Sequence, residues 1–156
     1  MIVRKAIEKD LEKIVAYAYQ LVQQHQAFNP KRFAKLQNHV EQMRKFLKKQ
    51  VNHPKSLLLV LEKEGEVIGY TLTKLEGSSL LEIASDSVWI HDIFIDKTVR
   101  SISAGKLLLQ KTIEEAQALG PKKIMLHVAF QNEWAKQFFE KAGFEVALYE
   151  MMLTLK

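Results

Sequence analysis

The sequence predicts one α/β domain, spanning residues 1–156, in which helices pack on a mixed β-sheet. Three observations predict this class. Apolar residues recur at helical spacing near the start of the chain, strand-like apolar runs fill its middle, and strands then alternate with helices. A composition of 47% hydrophobic and 26% charged residues is ordinary for a globular domain. The predicted order of elements is β-α-α-β-β-β-α-β-α-β.

The first half of the chain predicts a strand, two helices and a hairpin. Residues 2–7 alternate as a short strand does, and Asp10 opens a helix with apolar positions three and four residues apart. Pro30 ends this helix because it disfavours helical backbone at the residue before it. A second helix, with a lysine-rich face, is predicted over 31–51. Two strands then follow, with a turn at Glu64–Gly65.

The second half predicts alternating strands and helices. Residues 81–96 contain a third strand, at least in their second half, and 103–119 form a helix. Gly120–Pro121 stops that helix, because glycine and proline are strong terminators. The remaining elements are a buried strand at 122–130, a short helix at 132–143 and a last strand at 144–155.

Several functional classes are excluded by composition. The chain has no cysteine, so thiol nucleophiles, disulfides and thiolate metal sites are absent. No apolar run is long enough to cross a membrane, and the first residues do not resemble a signal peptide, so we expect a cytoplasmic protein without membrane contact. A net charge of +5 suits an anionic ligand or solvated lysines. No basic stripe is interleaved with aromatic residues, so we expect no nucleic-acid partner. No metal site is predicted.

Small residues fill the stretch 101–105, directly before the predicted helix, and Arg100 precedes them. Small side chains let a ligand approach the backbone, and the free N–H groups of a first helical turn favour an anion such as phosphate. A plain helix cap explains the same residues equally well.

A second stretch, 132–144, turns this pattern into a family resemblance. Together the two stretches resemble the GNAT superfamily of N-acetyltransferases, and the resemblance covers essentially the whole chain. The family's acyl-CoA loop, Arg/Gln-x-x-Gly-x-Gly/Ala, is matched by Arg100, Ser103 and Gly105. The family's next segment, Asn-x-x-Ala-x-x-x-Tyr-x-x-x-Gly-Phe, is matched by Asn132, Ala135, Gly143 and Phe144, with Phe139 at the tyrosine position. The resemblance implies a three-layer domain with a mixed central sheet flanked by helices.

The resemblance also implies acetyl-CoA as co-substrate and assigns the residues that would bind it. Backbone N–H groups would hold the pyrophosphate, at Arg100, Ser101, Ile102, Ser103, Ala104, Gly105 and Lys106. The strand residues Ile93, Phe94 and Ile95 would pair with the pantetheine amides. Asn132 and Phe139 would flank the pantetheine and its thiol. Ser103 departs from the glycine of the family pattern, which leaves the strength of cofactor binding open.

The resemblance makes Asp92 the candidate general base, because it matches an acidic position common in the family. Its alternative role is structural, as a buried carboxylate bonded to neighbouring backbone. His91 and Glu82 are further candidates. Strand alternation predicts that His91 and Asp92 point to opposite faces, so that one of them at most faces the cleft.

The proton donor to the leaving thiolate is less clearly marked. Many family members use a tyrosine, which Phe139 replaces here. Tyr149 on the last predicted strand is a weaker candidate acid, with a packed aromatic as the alternative. His127, on the strand predicted to pair with that of Asp92, is interpreted as a core histidine in preference to a site residue.

The acceptor would lie against the junction of the first two helices. His25, Phe28 and Asn29 are candidate substrate contacts there, and a packed interhelical turn is the alternative. The resemblance implies acetyl transfer to a primary amine of a small molecule or peptide by direct attack. A catalytically weak acyl-CoA-binding or sensing module of the same fold is the alternative function. A homodimer is left open beside a monomer.

Overall fold

In the described part of the chain, five strands form one sheet at the centre of the molecule. They are β1 (Ile2–Lys5), β2 (Ser56–Lys63), β3 (Glu66–Glu76), β4 (Ser87–Ile95) and β5 (Lys123–Leu126). The strands lie across the sheet in that order, with β1 to β4 antiparallel and β5 parallel to β4. This computed structural model describes residues 1–33, 39–77, 87–99 and 101–155, and at residue 102 the backbone alone.

Among the described residues, four α-helices accompany the sheet: α1 (Leu11–Phe28), α2 (Val40–Gln50), α3 (Ile102–Gln117) and α4 (Glu133–Lys141). A short 3-10 helix, Glu8–Asp10, leads into α1. The predicted second helix over 31–51 is shorter than expected and begins at Val40, while residues 34–38 lie outside the described part of the chain. The two helices after β4 occupy the predicted positions.

The helices cover both faces of the sheet and create three layers, as the family resemblance implies. The face toward α1 and α2 is filled by large apolar side chains, including Ile14, Tyr17, Leu47, Leu58, Val60, Tyr70, Leu72 and Phe94. The face toward α3 and α4 is filled by three smaller clusters, including Leu59, Leu61, Val88, Ile90, Ile95, Leu108, Leu109, Ala116 and Phe139. The alternation of strand side chains between these faces decides which residues can reach the functional site.

The turn between β2 and β3 is the one that the sequence predicts. Glu64 and Gly65 both have positive φ, 54° and 83°. A two-residue hairpin turn with positive φ at both positions matches the twist of its strands, and glycine adopts that conformation without strain.

The predicted last strand is absent from the described structure, which corrects that part of the element order. Residues 144–155 carry no strand assignment, and the four strand pairings do not include them. The segment has strand-like composition, but a strand forms only when its backbone groups find a ladder partner.

Candidate active site

A β-bulge in β4 sets the geometry of the site. Leu72 of β3 is paired with Asp92 and Thr73 with Ile90, so one extra residue of β4 is inserted between these pairs. As a result, Ile90 and Ile93, three positions apart, both pack against the α3 and α4 side. Bulges are common beside active sites because they redirect side chains. Here the bulge turns Asp92 toward the α1 side of the sheet.

The Asp92 carboxylate is bound by a tyrosine that the sequence analysis did not single out. The Tyr70 hydroxyl donates to Asp92 Oδ2 at 2.9 Å, and the Tyr70 side chain is fully buried. Burial raises the pKa of Asp92, while the Tyr70 hydrogen bond and the charges of His91 and His25 oppose that rise. Burial beside this carboxylate also raises the pKa of Tyr70 well above its ordinary value, so Tyr70 remains a neutral donor.

His91 and His25 lie near enough to this carboxylate for their charges to oppose the rise in its pKa. The expectation that His91 and Asp92 face opposite sides stays a prediction. The bulge interrupts the alternation on which that expectation depended. His91 is exposed, and its Nε2 lies 2.6 Å from Glu76 Oε1. His25 Nδ1 is 2.9 Å from the Leu21 carbonyl oxygen, so α1 carries this ring toward Asp92. Glu82 lies outside the described residues.

The edge of β4 that faces β5 is open where the cofactor is predicted to bind. Backbone pairing between the two strands runs only from Ser87 to Ile90 on β4, opposite Lys123 to Leu126 on β5. Pairing of β4 with β3 continues to Ile95. In the described structure, residues 91–94 of β4 therefore lie beyond the pairing with β5. Their backbone groups can pair with the amides of a ligand.

The N-terminus of α3 follows that open edge directly. The Ser101 hydroxyl caps the helix by accepting the Ala104 N–H at 3.1 Å, and the Ser101 carbonyl accepts the Gly105 N–H at 3.2 Å. The N–H groups at positions 102 and 103 have no acceptor within the helix, as at any helix start. Ser103 is exposed there, with its hydroxyl 2.9 Å from that of Ser101. Arg100 lies outside the described residues, and so does the side chain of Ile102.

Gly105 serves helix packing as well as the predicted loop. A Cβ atom added there would lie 3.2 Å from Phe138 Cε2 of α4 and 3.9 Å from Ile95 Cδ1. The buried Ala104 belongs to the same apolar cluster as Leu108, whereas Lys106, in the first turn of α3, is exposed. The small residue at 105 therefore allows α4 to approach α3 closely.

Two predicted cofactor contacts also have structural roles. Asn132 Oδ1 accepts the Ala135 N–H at 3.2 Å and so caps α4. Phe139 is only 7% exposed and packs against Ile90 and Leu109. The structure thus places Phe139 in the core, while any contact of its ring edge with a ligand stays a prediction.

The predicted acceptor contacts do gather at the end of α1. The His25 and Phe33 rings lie 5.1 Å apart. Asn29 Oδ1 accepts the N–H groups of Lys31 and Arg32, both at 3.2 Å, so its side chain holds the turn after α1. Phe28 is half-buried in the last turn.

Two predictions about the far side of the site are affected by the structure. The core interpretation of His127 is wrong, because its side chain is exposed and its ring lies 4.8 Å from that of Trp89. Tyr149 is 82% exposed, and its role as an acid stays a prediction. Its neighbour Glu150 accepts from Arg32 Nε at 2.7 Å.

The sequence could not reveal Tyr70 because its partner depends on strand register. Tyr70 and Asp92 are 22 positions apart, and no local sequence pattern specifies the register that brings them together. The available signal was a tyrosine within a largely buried strand. Within the described ranges, no helix is long and apolar enough to span a bilayer.

Comparison with known proteins agrees with this architecture. The model of the family described as "Acetyltransferase (GNAT) family" matches residues 8–144. An uncharacterised N-acetyltransferase of Bacillus subtilis is 30% identical over 101 residues, 64% of this chain and 66% of that protein. One from Methanocaldococcus jannaschii is 31% identical over 86 residues, 55% of this chain and 38% of that protein. The chain thus spans between about two fifths and two thirds of these relatives.

Solved structures share the fold over the whole chain. A mutant of the BH1408 protein from Bacillus halodurans is 26% identical, with a TM-score of 0.88 and full coverage of both chains. The aminoglycoside acetyltransferase AAC(6')-Iy, in complex with a bisubstrate analogue, has a TM-score of 0.79 at 13% identity, covering 99% of this chain and 97% of that one. The second likeness concerns the fold alone. Since the family model matches nearly the full length, this chain belongs to the GNAT family of acetyltransferases.

Proposed function

We propose that this protein transfers an acetyl group from acetyl-CoA to a primary amine of a small molecule or peptide, by direct attack and in the cytoplasm. The observation that carries the proposal is the β4 bulge. It turns Asp92 into contact with Tyr70 on the α1 side, directly before the open β4 edge and the α3 N-terminus. Family membership supplies the reaction class.

The residues present fit acetyl-CoA. The edge of β4 from His91 to Phe94, beyond the pairing with β5, offers backbone groups to the pantetheine amides. The α3 N-terminus, with Ser101 and Ser103, offers N–H and hydroxyl donors to the pyrophosphate. Lys106, exposed in the first turn, adds a positive charge. When bound, acetyl-CoA supplies an acetyl group activated as a thioester.

Asp92 is the proposed general base. Most primary amines are protonated near neutral pH, and only the free amine has the electron pair needed to attack a carbonyl carbon. In the proposed step Asp92 accepts the ammonium proton, directly or through one water molecule. The raised pKa of Asp92 brings it closer to that of the amine, which favours the transfer. The N–C bond forms, the C–S bond breaks, and the electron pair leaves on sulfur. The nitrogen, which carries a positive charge after the attack, gives its second proton to water, and a neutral amide results.

In the proposed reaction the CoA thiolate leaves without a tyrosine that protonates it. Phe139 has no proton to give, and the Tyr70 hydroxyl is committed to Asp92. A free thiol has a pKa near about 8.5, so a thiolate is a tolerable leaving group at neutral pH and can take its proton from water.

Relatives support an amine acceptor and leave its identity to experiment. One matching protein is named mycothiol acetyltransferase, from Paenarthrobacter aurescens, and is 29% identical over 91 residues, 58% of this chain and 28% of that protein. AAC(6')-Iy, which shares the fold, is named an aminoglycoside N-acetyltransferase. At the predicted acceptor rim of this chain, Arg32 is paired with Glu150.

The experiment that tests the proposal has two parts. Acetyl-CoA at about one hundred times its Kd should stabilise the fold by roughly 2.7 kcal/mol, a shift of several degrees in Tm. Release of free CoA thiol should then be measured with a panel of primary amines, with the matching secondary and tertiary amines as controls. The absence of a Tm shift at millimolar acetyl-CoA, together with the absence of thiol release with every amine in the panel, would contradict the proposal.

One observation favours a second candidate, an acyl-CoA-binding or sensing module. Phe139 occupies the position of the family tyrosine and is buried in the core. A Tm shift without thiol release across the whole amine panel would favour this candidate over the enzyme.

A further inference from the structure

Trp89 lies on the same face of the sheet as Asp92. In the pairing of β3 with β4, Trp89 is opposite Lys74 and Asp92 is opposite Leu72. Leu72 packs in the cluster that faces α1, and Lys74 Nζ lies over the Phe46 ring of α2. Because residues paired across a sheet share a face, Trp89 and Asp92 both point toward the layer of α1 and α2. At a rise of about 3.3 Å per residue, their Cα atoms are at most roughly 10 Å apart.

A histidine ring packs on Trp89 from the end of β5. His127 directly follows Leu126, the last residue of β5, and the ring centroids of His127 and Trp89 are 4.8 Å apart. His127 is exposed, whereas Trp89 and Asp92 are half-buried. The two rings and the proposed base are therefore not sealed in the core.

A second pair of rings comes from the end of α1. The ring centroids of His25 and Phe33 are 5.1 Å apart, and both side chains are half-buried. His25 lies near enough to Asp92 for its charge to act on that carboxylate. Asp92 therefore has an aromatic pair from α1 beside it, in addition to the pair formed by β4 and β5.

An ion pair connects the two aromatic pairs. The Arg32 guanidinium lies 5.6 Å from the Phe33 ring centroid, and Arg32 Nε donates to Glu150 Oε1 at 2.7 Å. Glu150 in turn lies near enough to His127 for their charges to interact. We call the residues connected in this way the aromatic rim: His25, Arg32, Phe33, Trp89, His127 and Glu150.

The charges of the aromatic rim favour a neutral ring over a second ammonium group. Aromatic faces bind either cations or other rings. Arg32 and, when protonated, the two histidines would repel a further cation, and the Glu150 carboxylate is already bound by Arg32. A neutral aromatic ring meets no such repulsion, and it gains offset or edge-to-face contacts with Trp89 and His127.

We propose that the acceptor is an arylalkylamine, a primary amine joined by a short carbon chain to an aromatic ring that packs against Trp89 and His127. This inference deepens the proposed function and rests on it, since the amine is the group whose proton Asp92 accepts. The short distance along β4 between Trp89 and Asp92 is what limits the chain to a few carbons.

The test compares 2-phenylethylamine with 2-cyclohexylethylamine, which has the same carbon chain and a saturated ring of similar size. Contact between aromatic rings adds to apolar burial, so wild-type kcat/KM should be about two- to tenfold higher for the aromatic amine. Trp89→Leu should abolish this preference, and Trp89→Phe, which keeps a ring, should retain it. Trp134→Leu, the same substitution on α4, is the control and should keep the wild-type ratio.

The fluorescence of Trp89 measures ring binding separately from catalysis. The chain has two tryptophans, so Trp134→Leu leaves Trp89 as the single one. With CoA in place of acetyl-CoA, no acetyl group can be transferred. Titration with 2-phenylethylamine should then give a saturable change in fluorescence, with a Kd about two- to tenfold below that of 2-cyclohexylethylamine.

Equal Kd values for the two amines, or no saturable change with 2-phenylethylamine, would overturn the inference. A preference in kcat/KM that survives Trp89→Leu, or that is lost equally in Trp134→Leu, would also overturn it. Tighter binding of 1,4-diaminobutane than of 2-phenylethylamine would do the same, because the rim would then hold a second ammonium. If no amine releases thiol, the proposed function is contradicted, and the fluorescence titration alone decides the inference.

Discussion

Asp92 is held in an environment that disfavours its charge. Burial raises its pKa, and the Tyr70 hydroxyl compensates only in part. Asp96, four residues later on the same chain, has the opposite environment. Its pKa is lowered, chiefly by hydrogen bonds from the Thr98 backbone N–H and hydroxyl. Asp92 and Asp96 can therefore be substituted in parallel, so that an effect on activity is distinguished from an effect on stability.

Asp92→Asn should raise Tm at pH 7, and Asp96→Asn should lower it. A carboxyl whose folded pKa is raised destabilises the fold above that pKa, and the effect vanishes below the ordinary value of 3.8. A carboxyl whose folded pKa is lowered stabilises the fold above 3.8, and this stabilisation is lost as pH falls through the lowered value. Thermal unfolding from pH 3 to pH 8 measures the Tm change in each variant. Equal Tm changes in the two variants would contradict the assigned environments.

Tyr70→Phe should move the acid limb of the kcat/KM profile to higher pH. The hydrogen bond from Tyr70 lowers the pKa of Asp92, so the loss of this bond raises that pKa. At pH 7 the loss of rate should stay below the range of about 10²–10⁴ that general base catalysis is worth. Tyr17→Phe is the control, since Tyr17 is also buried and its hydroxyl lies 3.0 Å from a carboxylate oxygen, that of Asp96. If the pH profile of kcat/KM shifts equally in Tyr70→Phe and Tyr17→Phe, the role of Tyr70 is only structural.

At the scale of elements, local signals could be predicted and pairing could not. The turn at Glu64–Gly65 and the helix stop at Gly120 follow from the backbone freedom of glycine, and Ser101 is a helix cap by residue type. The β4 bulge depends on how β3 and β4 register across residues 78–86, which no local pattern specifies. The Asp92–Tyr70 contact, which results from the bulge, could therefore not be predicted from the sequence.

Ser103→Asp should separate helix stability from ligand binding at the α3 N-terminus. A negative charge in the first turn stabilises a helix by about 0.3–1 kcal/mol through its dipole. The same charge repels a pyrophosphate. The variant should thus have an equal or higher Tm without ligand, and a reduced Tm shift with acetyl-CoA.

Gln117→Glu provides the matched control, because it adds one negative charge at the last residue of the same helix. It should retain the wild-type shift with acetyl-CoA. If Ser103→Asp also retains that shift, the α3 N-terminus is only a capped helix end.

At the scale of the whole molecule, the sheet brings together groups from both of its faces. Asp92 and His25 approach from the α1 side, while α3 begins at the edge where β4 and β5 separate. The family could be predicted because its motifs are short and local, around Arg100 and Asn132. Whether residues 144–155 form a strand could not be predicted, because a terminal strand needs a free sheet edge to pair with.

The central claim is that Asp92 removes the proton of an amine acceptor during acetyl transfer. Its most direct test is kcat/KM against pH for wild type and Asp92→Asn, with the amine that gives the highest rate in the panel. We predict a loss of at least about tenfold at neutral pH, which narrows as pH rises and the free amine becomes abundant. An Asp92→Asn variant as active as wild type at every pH would contradict the claim.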